Sequence, residues 1–238
     1  MREDFLKEVA RPIANRPQDA ILPHIGYRVW AATYDDEPNP ILSLEMRVLA
    51  ERIGEIAGTR ILDAGSGTGR WMEWAAARGA HIYGIDACSE MVLKAERKPS
   101  LTGRSAIADI RSIPLADDSV DLALCSFTIG YLPSPGQVFR ELARVSRQVI
   151  VSDLHPDAVR AGWTRSFRAQ DRVYELLHHH HSVTELDDSA LRAGLSFKWR
   201  LEESFSEPER KVFRRAGKEK AFDTVRQIPA VLITVWQR

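Results

Sequence analysis

Residues 61–71 read ILDAGSGTGRW. An apolar run ends in an aspartate, three glycines then alternate with small residues, and a stretch of helical pattern follows. That order spells a buried strand, a tight turn and a helix. A dinucleotide-binding turn would read G-x-G-x-x-G. Here the glycines stand at 65, 67 and 69 and Arg70 follows, so the third glycine is out of register. Asp63 also stands where a pyrophosphate would meet repulsion. A ligand that carries a cationic group and no phosphate suits both observations.

Working outward, strand-like and helix-like runs alternate. RILDA (60–64), HIYGID (81–86), SAIAD (105–109), VDLALCSF (120–127) and QVIVSDL (148–154) read as five strands. RWMEWAAARG, CSEMVLKAERK and PGQVFRELARVS read as the helices between them. Such alternation implies right-handed crossovers and a parallel, doubly wound α/β sheet. Four parts are expected: an N-terminal helical or lid segment (1–58), the cofactor-binding half of the sheet domain (59–154), a cap insertion (155–187) and a C-terminal return to the sheet (188–238). In the last part SALRAGL reads as a helix, SFKWRLEES as a strand, residues 205–228 as one charged amphipathic helix, and AVLITVWQ as a final strand covered on both faces.

The chain has 238 residues, 44% of them hydrophobic, with 33 Lys+Arg against 33 Asp+Glu. A balanced charge gives no general pull towards nucleic acid or an anionic membrane. MREDFLKEVARP lacks the apolar core of a secretory signal, and no run is long enough to span a bilayer. Two cysteines, Cys88 and Cys125, fit a reduced, cytoplasmic protein better than a disulfide scaffold.

S-adenosylmethionine is a ligand of the required kind, with an ammonium, a sulfonium, a ribose diol and an adenine. Asp86, ending the second strand, can accept from two vicinal ribose hydroxyls. Asp109, ending the third, can accept from the adenine amino group, and the Ile110 N–H can serve a ring nitrogen. Any one of these acids alone would pass for a helix cap; three acids ending three successive strands are harder to explain that way.

Together, ILDAGSGTGRW, YGIDACSEMVLKAERK (83–98) and AIADIRSIPLADDSVDLALCSFTIGYL (106–132) resemble the class I S-adenosylmethionine-dependent methyltransferases. The likeness is nearest to the small-molecule group that includes quinone-biosynthesis C-methyltransferases, and covers roughly residues 27–154. It implies a Rossmann-like seven-stranded sheet with its last strand antiparallel. It also implies that Gly65, Ser66, Gly67, Asp86, Ala87, Asp109 and Ile110 line the cofactor, with Asp63 beside them and Ser126, Phe127 and Thr128 near the methionine moiety. YRVWAATYDDEPNP (27–40) resembles the family's N-terminal segment, in which a tyrosine closes over the cofactor; Tyr34 is the first candidate and Tyr27 the second.

The resemblance makes the protein an enzyme that turns S-adenosyl-L-methionine into S-adenosyl-L-homocysteine while methylating a small molecule at O, N or C. The Asn/Asp-Pro-Pro-aromatic turn of base and amide N-methyltransferases is replaced here by SFTIGYL. Methyl transfer from a sulfonium needs alignment above all, and a base only where the acceptor must lose a proton. His155, in SDLHP, is the first candidate base, and His178 to His181 in the cap are the second. Adjacent histidines point in different directions, and no Asp, Glu or Cys accompanies the four at ligand spacing, so no metal is expected. Arg165, Arg168 and Arg172 read as an anion site or a solvated face. A nicotinamide-dependent oxidoreductase and a catalytically inactive S-adenosylmethionine-binding protein acting through an interface remain the alternatives. Oligomeric state is not readable.

Overall fold

The structure, a computed structural model, describes residues 20–36, 38–169 and 172–238. Residues 1–19 of the expected N-terminal segment, Glu37, and residues 170–171 of the expected cap lie outside the described residues.

Two helices precede the sheet, α1 (Pro23–Trp30) and α2 (Pro40–Ile53). Asn39 starts α2: its side chain accepts from the N–H groups of Ile41 and Leu42, and Pro40 supplies a first position whose missing N–H costs nothing. Then come β1 (Arg60–Ala64), α3 (Arg70–Ala76), β2 (His81–Asp86), α4 (Ser89–Glu96), β3 (Ser105–Ile107), β4 (Val120–Ser126), α5 (Gly136–Val145) and β5 (Ser146–Leu154). A short α6 (Pro156–Arg160) leads to the hairpin β6 (Ser166–Ala169) and β7 (Arg172–Glu175). The chain closes with α7 (Val183–Arg192), β8 (Ser196–Glu203), α8 (Glu207–Arg215), α9 (Glu219–Val225) and β9 (Val231–Gln237).

Seven strands form one sheet in the order β3-β2-β1-β4-β5-β9-β8. The pairs β3–β2, β2–β1, β1–β4 and β4–β5 are parallel, and β9 runs antiparallel to both β5 and β8. The expected seven-stranded, doubly wound sheet with its last strand antiparallel is the observed one. Both faces are covered, which is why the strands read as nearly continuous apolar runs. Ile61, Leu122, Leu124 and Ile150 face α2 and α3, while Leu62, Ala64, Ala123, Cys125 and Val151 face α5 and α7. The chain adds strands outward from β1 through β2 to β3, then returns to add β4 on the other side. That reversal opens a crevice at the carboxyl ends of β1 and β4, the usual ligand position in such sheets.

Three expectations need correction. The single helix over 205–228 is two, α8 and α9, because Gly217 between them takes φ +69° and turns the chain. The third strand stops at Ile107, so Asp109 lies in the loop beyond it. The aperiodic stretch after β5 is a short helix and a hairpin, and the helix α7 starts at Val183, inside the expected cap.

Candidate functional site

The glycine turn sits at the end of β1. The N–H groups of Gly65 and Ser66 both donate to the Ile85 carbonyl of β2, at 2.8 and 2.9 Å. Gly65 takes φ +83°, and a Cβ there would lie 2.2 Å from Thr128 Oγ1, so no other residue fits between β1 and the loop after β4. The Gly67 N–H donates to Asp86 Oδ2 at 2.8 Å, and the Cys88 N–H donates to Asp86 Oδ1 at 2.8 Å. Burial raises the Asp86 carboxyl above its ordinary range, against the two N–H groups that favour its charged form. Each oxygen keeps a lone-pair direction for a further donor.

A cleft of ≈ 440 Å³ opens at this crevice. It is lined by Tyr34, Asp63, Gly65, Ser66, Gly67, Asp86, Ala87, Asp109, Ile110, Ser126 and Phe127, which brings together the residues the sequence singled out as cofactor candidates. Tyr27 and Thr128 line it as well. Asp109 holds Arg111 through two oxygens, at 2.6 and 3.0 Å, and this hydrogen-bonded pair keeps its carboxyl below the ordinary range.

Asp63 is buried, and burial pushes its carboxyl up to about 7, with Arg70 opposing and Glu45 and Asp86 adding to the rise. Half-neutral near pH 7, it repels a phosphate less than the sequence suggested. Its Oδ1, like Ser66 Oγ, is buried and has no hydrogen-bond partner among the described residues. A buried acceptor left unpaired is costly, and this one belongs to a residue that lines the cleft.

His155 does not line the cleft. It caps α6, with its Nδ1 accepting from the Asp157 N–H at 3.0 Å and its Nε2 3.4 Å from Glu202. Pro156 at the first helical position makes that cap the local outcome, so the first candidate base stands at a helix start and not on the cleft. Of the four consecutive histidines, His178 is buried and His179 lines the cleft. No group of three or more His, Cys, Asp or Glu among the described residues is placed to hold a metal.

Sequence reading missed three features. Arg70, directly after the third glycine, lines the cleft and donates to Glu45 Oε2 at 2.7 Å and to Ser126 Oγ at 3.1 Å. Glu45 is fully buried on α2 and also accepts from Trp71 Nε1, Ser126 Oγ and Ser152 Oγ. Its position among Leu44, Val48 and Leu49, on the apolar stripe of α2, was the available signal. Tyr131 lines the cleft and shares a 2.7 Å hydrogen bond with the Tyr27 hydroxyl. Burial pushes Tyr34 up to about 12 and raises Tyr27 too, so both hydroxyls stay protonated.

A family profile described as "Methyltransferase domain" matches residues 62–151. Residues 62–151 thus carry a methyltransferase domain. The fold of the chain is similar to that of a solved S-adenosylmethionine-dependent methyltransferase from Mesorhizobium loti, with a TM-score of 0.64 and 22% identity over 82% of this chain and 98% of that one. Among curated proteins it is 28% identical to the biotin biosynthesis bifunctional protein BioHC of Cellvibrio japonicus, over 69% of this chain and 33% of that one. It is 32% identical to the ubiquinone/menaquinone biosynthesis C-methyltransferase UbiE of Bdellovibrio bacteriovorus, over 49% of this chain and 54% of that one. The chain thus spans about a third to a half of the curated relatives it matches. No helix among the described residues is long and apolar enough to cross a membrane.

Proposed function

We propose that the methyltransferase moves a methyl group from S-adenosylmethionine to a small-molecule acceptor that enters past Tyr27, Tyr34 and Tyr131. The observation that carries this reading is the unpartnered Asp63 Oδ1 on the floor of a cleft of ≈ 440 Å³, a volume suited to small ligands. The cofactor's ammonium is the donor that this oxygen lacks. Arg70 would receive its carboxylate, Asp86 the ribose hydroxyls, and Asp109 and the Ile110 N–H the adenine; Gly65, Ser66, Gly67 and Ala87 would shape the floor, and Ser126 and Phe127 the methionine side.

When bound, the cofactor supplies an electrophilic methyl on a sulfonium. The protein's own residues hold, align and exclude water. Tyr27 and Tyr34 offer neutral hydroxyls to the acceptor. Where the acceptor must lose a proton, His179 takes it, because it lines the cleft and His155 does not. Two free, buried cysteines suit a reducing compartment such as the cytoplasm.

Calorimetric titration with S-adenosylmethionine and with NAD tests the cofactor; tighter NAD binding would sink the reading. Turnover on phenols, quinols, amines and a malonyl thioester tests the acceptor, the last because relatives are named malonyl-[acyl-carrier protein] O-methyltransferase. His155→Ala should leave turnover within about twofold on the accepted compound, whereas His179→Ala should lower it if the acceptor is a hydroxyl.

A further inference from the structure

The loop after β4 is held from outside the cleft. Phe127, the first residue past β4, takes φ +50°, a left-handed conformation that bulky L residues rarely adopt and that persists only where the surroundings impose it. Its N–H donates to the Ser152 carbonyl of β5 at 2.8 Å. Its carbonyl accepts from Arg165 Nη1, and Arg165 Nη2 donates to Asp153 Oδ1. The guanidinium carbon lies 4.6 Å from the Tyr131 ring centroid and 5.4 Å from that of Phe127. His178 Nε2 stands 3.7 Å from Asp153 on the other side.

Arg165 and Asp153 are 9% and 12% exposed, and neither lines the cleft, whereas Phe127, Thr128 and Tyr131 do. A buried ion pair is weak evidence for stability, since an apolar pair often serves as well. The planar fork of Arg165 does what an apolar side chain cannot: it reaches a carboxylate and a carbonyl at once while lying on an aromatic face. The burial that would otherwise raise the Asp153 carboxyl is overcome by the guanidinium, which holds it well below the usual range.

Arg165 comes from the segment between α6 and β6. Its own carbonyl accepts from the Leu176 N–H at 2.8 Å, and the Leu177 N–H donates to Ile21 at 2.8 Å, just ahead of α1. The part of the chain that walls the outer cleft is therefore tied to the loop that walls the inner one.

We propose that Arg165 is a positioning residue: fixed by Asp153 and laid on Tyr131, it grips the Phe127 carbonyl and keeps the loop after β4 in the left-handed conformation that shapes the cleft. The cofactor consequence rests on the function proposed above; the conformational claim does not.

The test removes the clamp without stranding a charge, by the paired change Asp153→Leu with Arg165→Met, and separately by Arg165→Lys, which keeps the charge and loses the fork. In ligand-free protein labelled with 13C,15N-phenylalanine, Phe127 is assigned by its loss in Phe127→Leu. Its Cα shift and HN–Hα coupling should report positive φ in the wild type and a return to negative φ in the clamp variants. A positive φ retained in either folded variant overturns the proposal. In titrations with S-adenosylhomocysteine, loss of the clamp should weaken binding at least tenfold, but less than twofold in the Phe127→Gly background, where positive φ is unstrained. Equal losses in both backgrounds also overturn it. Wild-type protein that ignores S-adenosylhomocysteine would sink the proposed function, and the resonance measurement would still decide the clamp.

Discussion

Paired with the ammonium as proposed, Asp63 would tie cofactor affinity to pH. Its folded value of about 7 lies above the ordinary 3.8. The ligand-free fold therefore has this group's stabilising contribution in full below 3.8, and has lost it once pH rises through about 7. An ammonium beside Oδ1 demands the ionised form, so binding releases a proton below pH 7. Affinity for S-adenosylhomocysteine should rise up to about tenfold per pH unit below 7 and level off above it; Asp63→Asn should be weaker and flat, and a wild type without slope would refute the pairing. Asp86→Ala should weaken the cofactor more than Asp109→Ala. Hydrogen bonds to a charged acceptor are worth about 1.5–3 kcal/mol each; Asp86 offers two oxygens already aimed by backbone N–H groups, whereas Asp109 shares its charge with Arg111. Binding constants in the reverse order would reassign the two loops. These acids were legible because strand ends are marked by apolar runs. The role of His155 was not, because a cap and a base both follow a strand end, and only the direction of the ring separates them.

At the scale of elements, α2 is fastened to the sheet through one carboxylate. Glu45 gathers donors from α3, β4 and β5, namely Arg70, Trp71, Ser126 and Ser152. Glu45→Ala leaves those donors unpaired and should cost about 3–5 kcal/mol, read as a fall in the urea midpoint. A loss under about 1 kcal/mol would mean that water replaces the carboxylate. Because Arg70 and Ser126 line the cleft, cofactor affinity should fall with it. Periodicity gave the helices and strands because both sheet faces are buried. It could not show that a glutamate on the apolar stripe has donors waiting, since they come from residues 25 to 107 positions away. The break at Gly217 was hidden for the opposite reason: charged residues on both sides keep the helical pattern going across it.

Over the whole molecule, the segment around α1 packs against the strands β6 and β7. Trp30 stacks on Phe167 at 4.7 Å with the rings 6° apart, and Ile21 exchanges backbone hydrogen bonds with Glu175 and Leu177. Cofactor binding should therefore slow hydrogen exchange in 23–30 and in 172–177 together, while the interior of β1, β4 and β5, already protected, stays unchanged. Protection of one segment without the other would show them to be independent. This partnership joins residues about 150 apart and left no periodic trace in the sequence; the family likeness, ending near residue 154, did not extend to it.

The sheet's strand order also has a history. The strand β9 lies between β5 and β8 yet is the last of the three in the chain, so during synthesis β5 must wait, with one bare row of hydrogen-bonding groups, until residues 231–237 arrive. A nascent chain halted in that interval carries an apolar, unpaired edge of the kind that recruits foreign strands. Arrival of residues 231–237 thus covers that edge.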